Sequence, residues 1–262
     1  MGNLSGFEAL SAGGVMDATH LYDAEVGAAV RALVVESLKV AEHAETAELF
    51  PMGDVIGSKR RREVDGHLPF LSISDGWNLQ TELGLRIPNP QYPESQSALI
   101  AIQVSDIPGA DQPDGAGVLS RVNELGHEVG QMAISRARAV PELSEVAHDL
   151  NYYETRVVLN TGNTSRFAPK ILRPVLIDPH TDGSVVTWSM FSSQRGLQVH
   201  EGEEYVYPNT GSYFLAGRKA GEGIKPTLHR VIREDSAEGR TSDMDRLSVP
   251  RVAVVAFLKS GK

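Results

Sequence analysis

The stretch that decides the fold runs from Val175 to Tyr207 and reads VLIDPHTDGSVVTWSMFSSQRGLQVHEGEEYVY. It breaks into four short runs, Val175–Ile177, Val185–Trp188, Leu197–Val199 and Glu204–Tyr207, with Pro, Gly, Asp and Ser at the junctions. β-Branched and aromatic residues bounded by turn formers read as strands, because they suit a pleated surface and their neighbours suit reversals. Working outward, the pattern continues in Ser212–Leu215, Thr227–Ile232 and Val252–Leu258, and it begins upstream at Thr155–Leu159. No helical periodicity separates these eight runs. The expected core is therefore an antiparallel sandwich or jelly roll and not an α/β sheet.

The first 150 residues read differently. Residues 1–22 are small and polar and read as a loose lead-in. A helix is expected from Asp23, which can cap it, with Val26, Val30, Leu33, Ser37 and Val40 at helical spacing. A second helix is expected over Gly115 to Ala139, burying Leu119, Val122, Leu125, Val129, Met132 and Ile134. Leu68–Ile73 and Ala98–Val104 read as short strands. Residues 51–66 and the prolines from Pro88 to Pro113 read as loops. The helices are expected to buttress one sheet from outside, which makes residues 1–262 one domain. Within it, residues 1–150 are expected to be mostly helical and residues 151–262 to form the strand-rich core.

Composition narrows the chemistry. The chain has no cysteine, so thiolate metal sites, iron–sulfur clusters and disulfides are excluded. Any metal must be held by imidazole and carboxylate. A net charge of −9 argues against a nucleic-acid partner, and the one basic run, Lys59–Arg62, reads as a solvated turn. No apolar stretch approaches the roughly 20 residues needed to span a bilayer. The expectation is a cytoplasmic protein with a small-molecule substrate, no membrane partner and an open oligomeric state.

The residues that carry chemistry are His180-Thr181-Asp182 and, 47 positions after Asp182, His229. Alternate residues of a strand share a face, so His180 and Asp182 can reach one ion. Two imidazoles and a carboxylate form a facial triad that leaves coordination positions open, a donor set suited to Fe(II). Other candidates fail on spacing. His127-Glu128 lacks the second histidine of a zinc-hydrolase helix, since Gln131 stands there, and no phosphate loop follows Gly217.

Four segments in order, with a fifth after them, resemble the Fe(II)/2-oxoglutarate oxygenases of the isopenicillin N synthase-like branch. Pro179-His180-Thr181-Asp182-Gly183 is followed by Thr187 at the family's spacing. Gly196-Leu197-Gln198-Val199 precedes a turn and Tyr205. Gly211 through Gly217 is similar to the family's "PGxLVVNxGD" strand, and Thr227-Leu228-His229-Arg230-Val231 to "STxHRV". Arg246-Leu247-Ser248-Val249-Pro250 resembles "RxSxP". The resemblance covers about residues 155–258.

It implies a double-stranded β-helix core and a dioxygenase that uses Fe(II), 2-oxoglutarate and O₂. It implies that Arg246 and Ser248 grip the distal carboxylate of 2-oxoglutarate, a task suited to the planar fork of arginine. Arg246 lies 17 positions after His229, a longer gap than the family usually shows. Arg240-Thr241-Ser242 and Arg251 are alternatives, although Ala253 stands where a serine partner of Arg251 would be. Asn160 matches the asparagine of the family's Asn-Tyr-Tyr-Pro segment, and the tyrosine is absent. Trp188 and Arg195, with Gln194, are expected near substrate.

The expected reaction is oxidation of a small polar metabolite by hydroxylation, desaturation, epoxidation or ring closure. The resemblance implies a natural-product metabolite, and the acidic balance leaves room for an amino sugar or another cationic molecule. An oxidase using the same triad without 2-oxoglutarate, and a non-catalytic metal-binding β-helix protein, are the alternatives.

Overall fold

The computed structural model describes residues 6–45, 77–82, 99–105, 118–160, 175–232 and 251–261. The expected turn at Lys59–Arg62, the strand Leu68–Ile73, the prolines from Pro88 to Pro113 and all of residues 233–250 lie outside these. Among the described residues no helix is long and apolar enough to cross a membrane.

Helix α1 (Gly6–Ser11) and strand β1 (Val15–Asp17) occupy what the sequence suggests is a loose lead-in. Three residues beyond a Gly-Gly pair show no alternation of their own. They become a strand by pairing with β9 (Tyr213–Ala216), in register Val15 with Leu215. Helix α2 (Ala24–Glu45) starts as expected: the Asp23 carboxylate accepts hydrogen bonds from the N–H groups of Glu25 and Val26, both 3.0 Å. Its Val26, Val30, Leu33 and Ser37 are buried. Helix α3 (Val118–Arg138) buries Val122, Leu125 and Val129, while Met132 and Ile134 are partly buried. Arg136 on α3 ties the pair together through Asp23 at 2.6 Å and Glu25 at 3.0 Å. A short helix, α4 (Ser144–Ala147), leads into the core.

The remaining strands are β2 (Trp77–Glu82), β3 (Leu99–Ser105), β4 (Tyr152–Asn160), β5 (Val175–His180), β6 (Val186–Ser192), β7 (Leu197–Glu201), β8 (Glu204–Val206), β10 (His229–Ile232) and β11 (Arg251–Lys259). They form a seven-stranded sheet, β1-β9-β6-β11-β4-β3-β2, and a four-stranded sheet, β5-β10-β7-β8. From β4 to β11 the chain passes back and forth between the two sheets, and every pairing is antiparallel. The architecture is mainly β with flanking helices, compatible with a jelly roll. The strand expected at Ala98–Val104 is present as β3, and β1 and β2, which the sequence reading did not anticipate, join it in extending the large sheet.

Strand alternation gives that sheet two distinct faces. Tyr153, Val157, Val186, Trp188, Met190, Phe214, Ala216, Val252, Val254, Ala256 and Leu258 pack with α2 and α3 in the main hydrophobic core. The other face meets the small sheet, where Tyr213 and Leu215 of β9 pack with Val199 of β7. The space between sheets, by their usual spacing about 10 Å across, is where the polar side chains converge.

Candidate metal centre

His180 ends β5 and His229 begins β10, and the two are directly paired across the small sheet. His229 also pairs with Val199, which places it on the face turned toward the large sheet. Asp182 lies in the loop that crosses to β6. The Nε2 atoms of His180 and His229 each lie 3.7 Å from Asp182 Oδ1, and the rings are 4.3 Å apart. All three ligand atoms fall within 4.8 Å of one another. At 3.7 Å the imidazoles are beyond hydrogen-bond reach of the carboxylate. Two ligands each about 2.1 Å from one ion can be up to about 4.2 Å apart, so the spacing suits a shared metal. Asp182 Oδ2 is buried with no hydrogen-bond partner among the described residues, the condition a metal ion relieves.

The surrounding chain sets these ligands. His229 Nδ1 lies 3.0 Å from the carbonyl of Thr227. A carbonyl only accepts, so Nδ1 carries the proton and the Nε2 lone pair is turned to the site. Thr227 is itself clamped: its hydroxyl accepts from Ala216 N–H at 3.0 Å and donates to Gly14 C=O at 2.9 Å. Burial pushes the His229 imidazole below the usual histidine range; the Asp182 carboxylate opposes this and His180 adds to it. A neutral imidazole is the metal-binding form. The Asp182 loop is pinned by Arg218 N–H to Asp182 C=O at 2.8 Å, Gly217 N–H to Val185 C=O at 2.9 Å and Lys219 N–H to Ser184 C=O at 3.0 Å. A Cβ at Gly217 would stand 2.1 Å from the Ser184 carbonyl, so only glycine permits this contact. Thr187 shares a 2.7 Å hydrogen bond with Ser184 and braces the same loop. His180, the most open ligand at 39% side-chain exposure against 6% for the other two, marks the accessible side.

No protein-family model and no curated protein matches the chain. Solved structures do. A Shewanella oneidensis protein described as an oxygenase is 15% identical, with a TM-score of 0.51 over 97% of this chain and 85% of that one. JOX2, solved with 2OG, Fe and JA, is 14% identical, with a TM-score of 0.51 over 97% of this chain and 70% of its own. The chain has the fold of oxygenases that hold iron and 2-oxoglutarate. A full-length Neurospora crassa protein, solved in complex with alpha-KG, is 21% identical over 64% of this chain at a TM-score of 0.45, and the match spans 61% of that protein's length.

On this oxygenase fold several expected site residues move. Trp188 is fully buried on the helix-packed face, its ring centroid 5.4 Å from that of Phe214 in a tilted contact, and its indole N–H donates to Ser212 at 2.8 Å. Thr187 and Ser189, its neighbours, point the other way. Arg195 and Gln194 are exposed in the turn between β6 and β7, at the end of β6 away from Asp182, and Arg195 lies 5.3 Å over the Tyr207 ring. Arg246, Ser248 and Arg240 lie outside the described residues. Asn160 closes β4 directly opposite Arg251.

Arg251 is the residue to which sequence reasoning gave second place. It begins β11 on the inter-sheet face, and its residue is 6% exposed. Its side chain reaches the small sheet, where a Cβ at Gly196 would come within 2.8 Å of Arg251 Nε. Burial holds its pKa down and Tyr213 nearby opposes this. Tyr213 is buried on the same face; burial pushes its phenol up, and Ser189 hydrogen-bonds to it. Gly196 C=O accepts from Ile232 N–H at 2.8 Å, three residues along β10 from His229. Arg251 therefore sits about 10 Å along the strand direction from the triad.

Proposed function

We propose that this chain is an Fe(II)- and 2-oxoglutarate-dependent dioxygenase that oxidises a small metabolite, with His180, Asp182 and His229 as the iron ligands. One observation carries the reading: three ligand atoms converge around a buried, unsatisfied Asp182 oxygen, at one end of an inter-sheet space that holds a buried arginine at its other end. The alternation of β4 to β11 between two facing sheets supports a double-stranded β-helix core. The strands drawn from both halves of the chain support a single domain.

When bound, iron with 2-oxoglutarate and O₂ supplies the oxidising power, releasing succinate and CO₂ as a substrate C–H bond is oxidised. The chain's own residues bind, orient and exclude water. His180, Asp182 and His229 occupy one side of the ion and leave the opposite side to the reactants. We assign the distal carboxylate of 2-oxoglutarate to Arg251 in preference to Arg246. A guanidinium buried between two sheets matches an anion that enters with the co-substrate, and a hydroxyl partner is close by. That partner is Tyr213, whose high pKa keeps it a donor and which stands in for the serine missing at Ala253. The apolar surfaces of Val199 and Leu215 keep water from the space between.

The test is an anaerobic titration of the metal-free protein with Fe(II) and 2-oxoglutarate, following the weak visible absorption of the chelate. Absorption that needs both components and is lost in His180→Ala supports the assignment. Iron binding without it favours an oxidase independent of 2-oxoglutarate, and no iron binding favours a non-catalytic protein.

A further inference from the structure

The chain reaches His229 along residues 217–228, the connection from β9 to β10. The first of these residues pin the Asp182 loop. The last are held by a much earlier part of the chain. Lys225 N–H donates to Ser11 C=O at 2.9 Å, and the Thr227 hydroxyl donates at 2.9 Å to the carbonyl of Gly14, 213 positions before it. Thr227 is fully buried, and each of its polar groups is engaged. Its N–H donates to Ala216 C=O at 2.9 Å, and its hydroxyl accepts from Ala216 N–H at 3.0 Å. Its carbonyl accepts from His229 Nδ1 at 3.0 Å. One residue thus joins the segment Gly6–Asp17, the end of β9 and a metal ligand.

The segment that supplies Gly14 is itself fixed. Helix α1 closes with Gly13 N–H to Leu10 C=O at 3.0 Å and Gly14 N–H to Ala9 C=O at 2.9 Å. Gly13 has φ 87°, a left-handed conformation that glycine adopts without steric cost, and it turns the chain from α1 into β1. Leu10 and Met16 are buried in the main core, and β1 pairs with β9 from Val15 to Asp17. Ala18 N–H donates to Ser212 C=O at 2.9 Å. The Gly14 carbonyl is therefore held in place against β9. A hydroxyl that donates to one segment and accepts from another has little freedom to turn away.

We propose that residues 6–17 are a working part of the metal centre, and that Thr227 is the positioning residue through which they hold His229. This rests on the triad reading above and adds to it what fixes one ligand. Outer partners set the direction of a ligand ring, and losing one lowers metal affinity by about 10- to 100-fold. Without the Thr227 hydroxyl, the Gly14 carbonyl and the Ala216 N–H each lose a partner next to buried chain. The Thr227 backbone, whose carbonyl aims the imidazole, then loses its tie to β1.

The experiment uses the metal-free full chain and Co(II) alone as the probe. Affinity is measured by competition with a chromophoric chelator, and the visible Co(II) spectrum reports the ligand set. Thr227→Val keeps the outline of the side chain and should lower affinity by about 10- to 100-fold with a changed spectrum, while Thr227→Ser, which keeps the hydroxyl, should recover most of both. Gly14→Ala puts a Cβ 3.0 Å from the Ala9 carbonyl oxygen and shifts the acceptor while leaving Thr227 unaltered. It too should weaken Co(II) binding, and its effect should vanish in the Thr227→Val background, because both act through one hydrogen bond. If Thr227→Val binds Co(II) as the unaltered protein does, the proposal is overturned, and a lowered melting temperature with unchanged affinity marks a purely structural residue and overturns it equally. Should Thr227→Val not fold, unchanged affinity in Gly14→Ala overturns it instead. Additive losses in the double variant break the link between Gly14 and Thr227 and overturn it as well. If the unaltered protein binds no Co(II), or His229→Ala binds it as tightly, the triad reading fails and takes this proposal with it.

Discussion

Gly217→Ala is the most economical test of how the triad is held, because it touches no ligand. The added Cβ would stand 2.1 Å from the Ser184 carbonyl oxygen and 2.6 Å from its Oγ, where ordinary contact begins near 3.4 Å, so the loop must move by about 1.3 Å. The obstacle is backbone and cannot rotate away. Asp182 Oδ1 now lies 3.7 Å from each histidine Nε2, and two ligands of one ion can separate to only about 4.2 Å. The slack is about half an ångström, less than the displacement. Overpacking of this kind costs about 1–3 kcal/mol of stability. Disturbing the support of a ligand lowers metal affinity by about 10- to 100-fold. Fe(II) affinity is measured by competition with a chromophoric chelator, and stability by thermal melting. Gly211→Ala is the control, since nothing lies within 4 Å of its added Cβ. If Gly217→Ala binds iron and melts as the unaltered protein does, the account of the pinned Asp182 loop is wrong.

Arg251→Ala should weaken 2-oxoglutarate binding by about 10- to 100-fold, the worth of a charge-assisted pair, while Arg246→Ala should leave it within about twofold by the same reasoning; the reverse order in the chelate titration would restore Arg246. Trp188→Ala should cost about 3–5 kcal/mol and Arg195→Ala no more than about 0.5 kcal/mol, both read by urea unfolding, and a harmless Trp188→Ala would reopen its place at the site. Glu154 is desolvated by burial, yet Arg156 and Lys259 hold its carboxyl below the ordinary value of 4.5. Its charged form therefore contributes stability above pH 4.5, and that contribution fades as pH falls through the lowered folded value. Glu154→Gln should lower stability at pH 7, and the gap to the unaltered protein should narrow as pH falls below 4.5; a gap independent of pH would show that packing, not charge, is lost.

The fold was legible where short apolar runs repeat. Strands from Thr155 to Leu258 announce themselves because β-branched and aromatic residues fill the stretches between turn formers. Their ends run longer in the structure: β4 and β11 pair over their whole lengths, and backbone pairing continues past the apolar run. β1 was hidden because its strand character comes from β9. A His-x-Asp pair with a distant His is a weak signal in a chain with eight histidines, and the triad was legible because its neighbours resemble a family. Thr227, which turns His229, was readable only as a member of that motif; its carbonyl and hydroxyl roles depend on chain 213 residues away at Gly14. Arg251, which we propose for the co-substrate carboxylate, ranked behind Arg246 on local pattern, since Ser248 stands two residues after Arg246 and Ala253 two after Arg251. Burial between two sheets is a non-local property that no spacing reveals.

The same distinction separates the charge of the chain from the charge of its site. A net charge of −9 suggested a cationic substrate. Charges farther than about 8 Å through physiological solvent are largely screened, so the field at a cleft belongs to the few groups lining it. Among the described residues the charged groups on the inter-sheet face include Arg156, Lys259 and Glu154 on one side and Arg251 on the other, besides Asp182 of the triad. Arg156 pairs with Val255, four positions along β11 from Arg251. The two arginine backbones are thus about 13 Å apart along the strand direction. That geometry requires independence: the loss of 2-oxoglutarate affinity on Arg251→Ala should be the same within about 0.5 kcal/mol in the Arg156→Gln background. A larger coupling would mean one extended anion site serving one ligand, and the inter-sheet space would have to be reread as a single pocket.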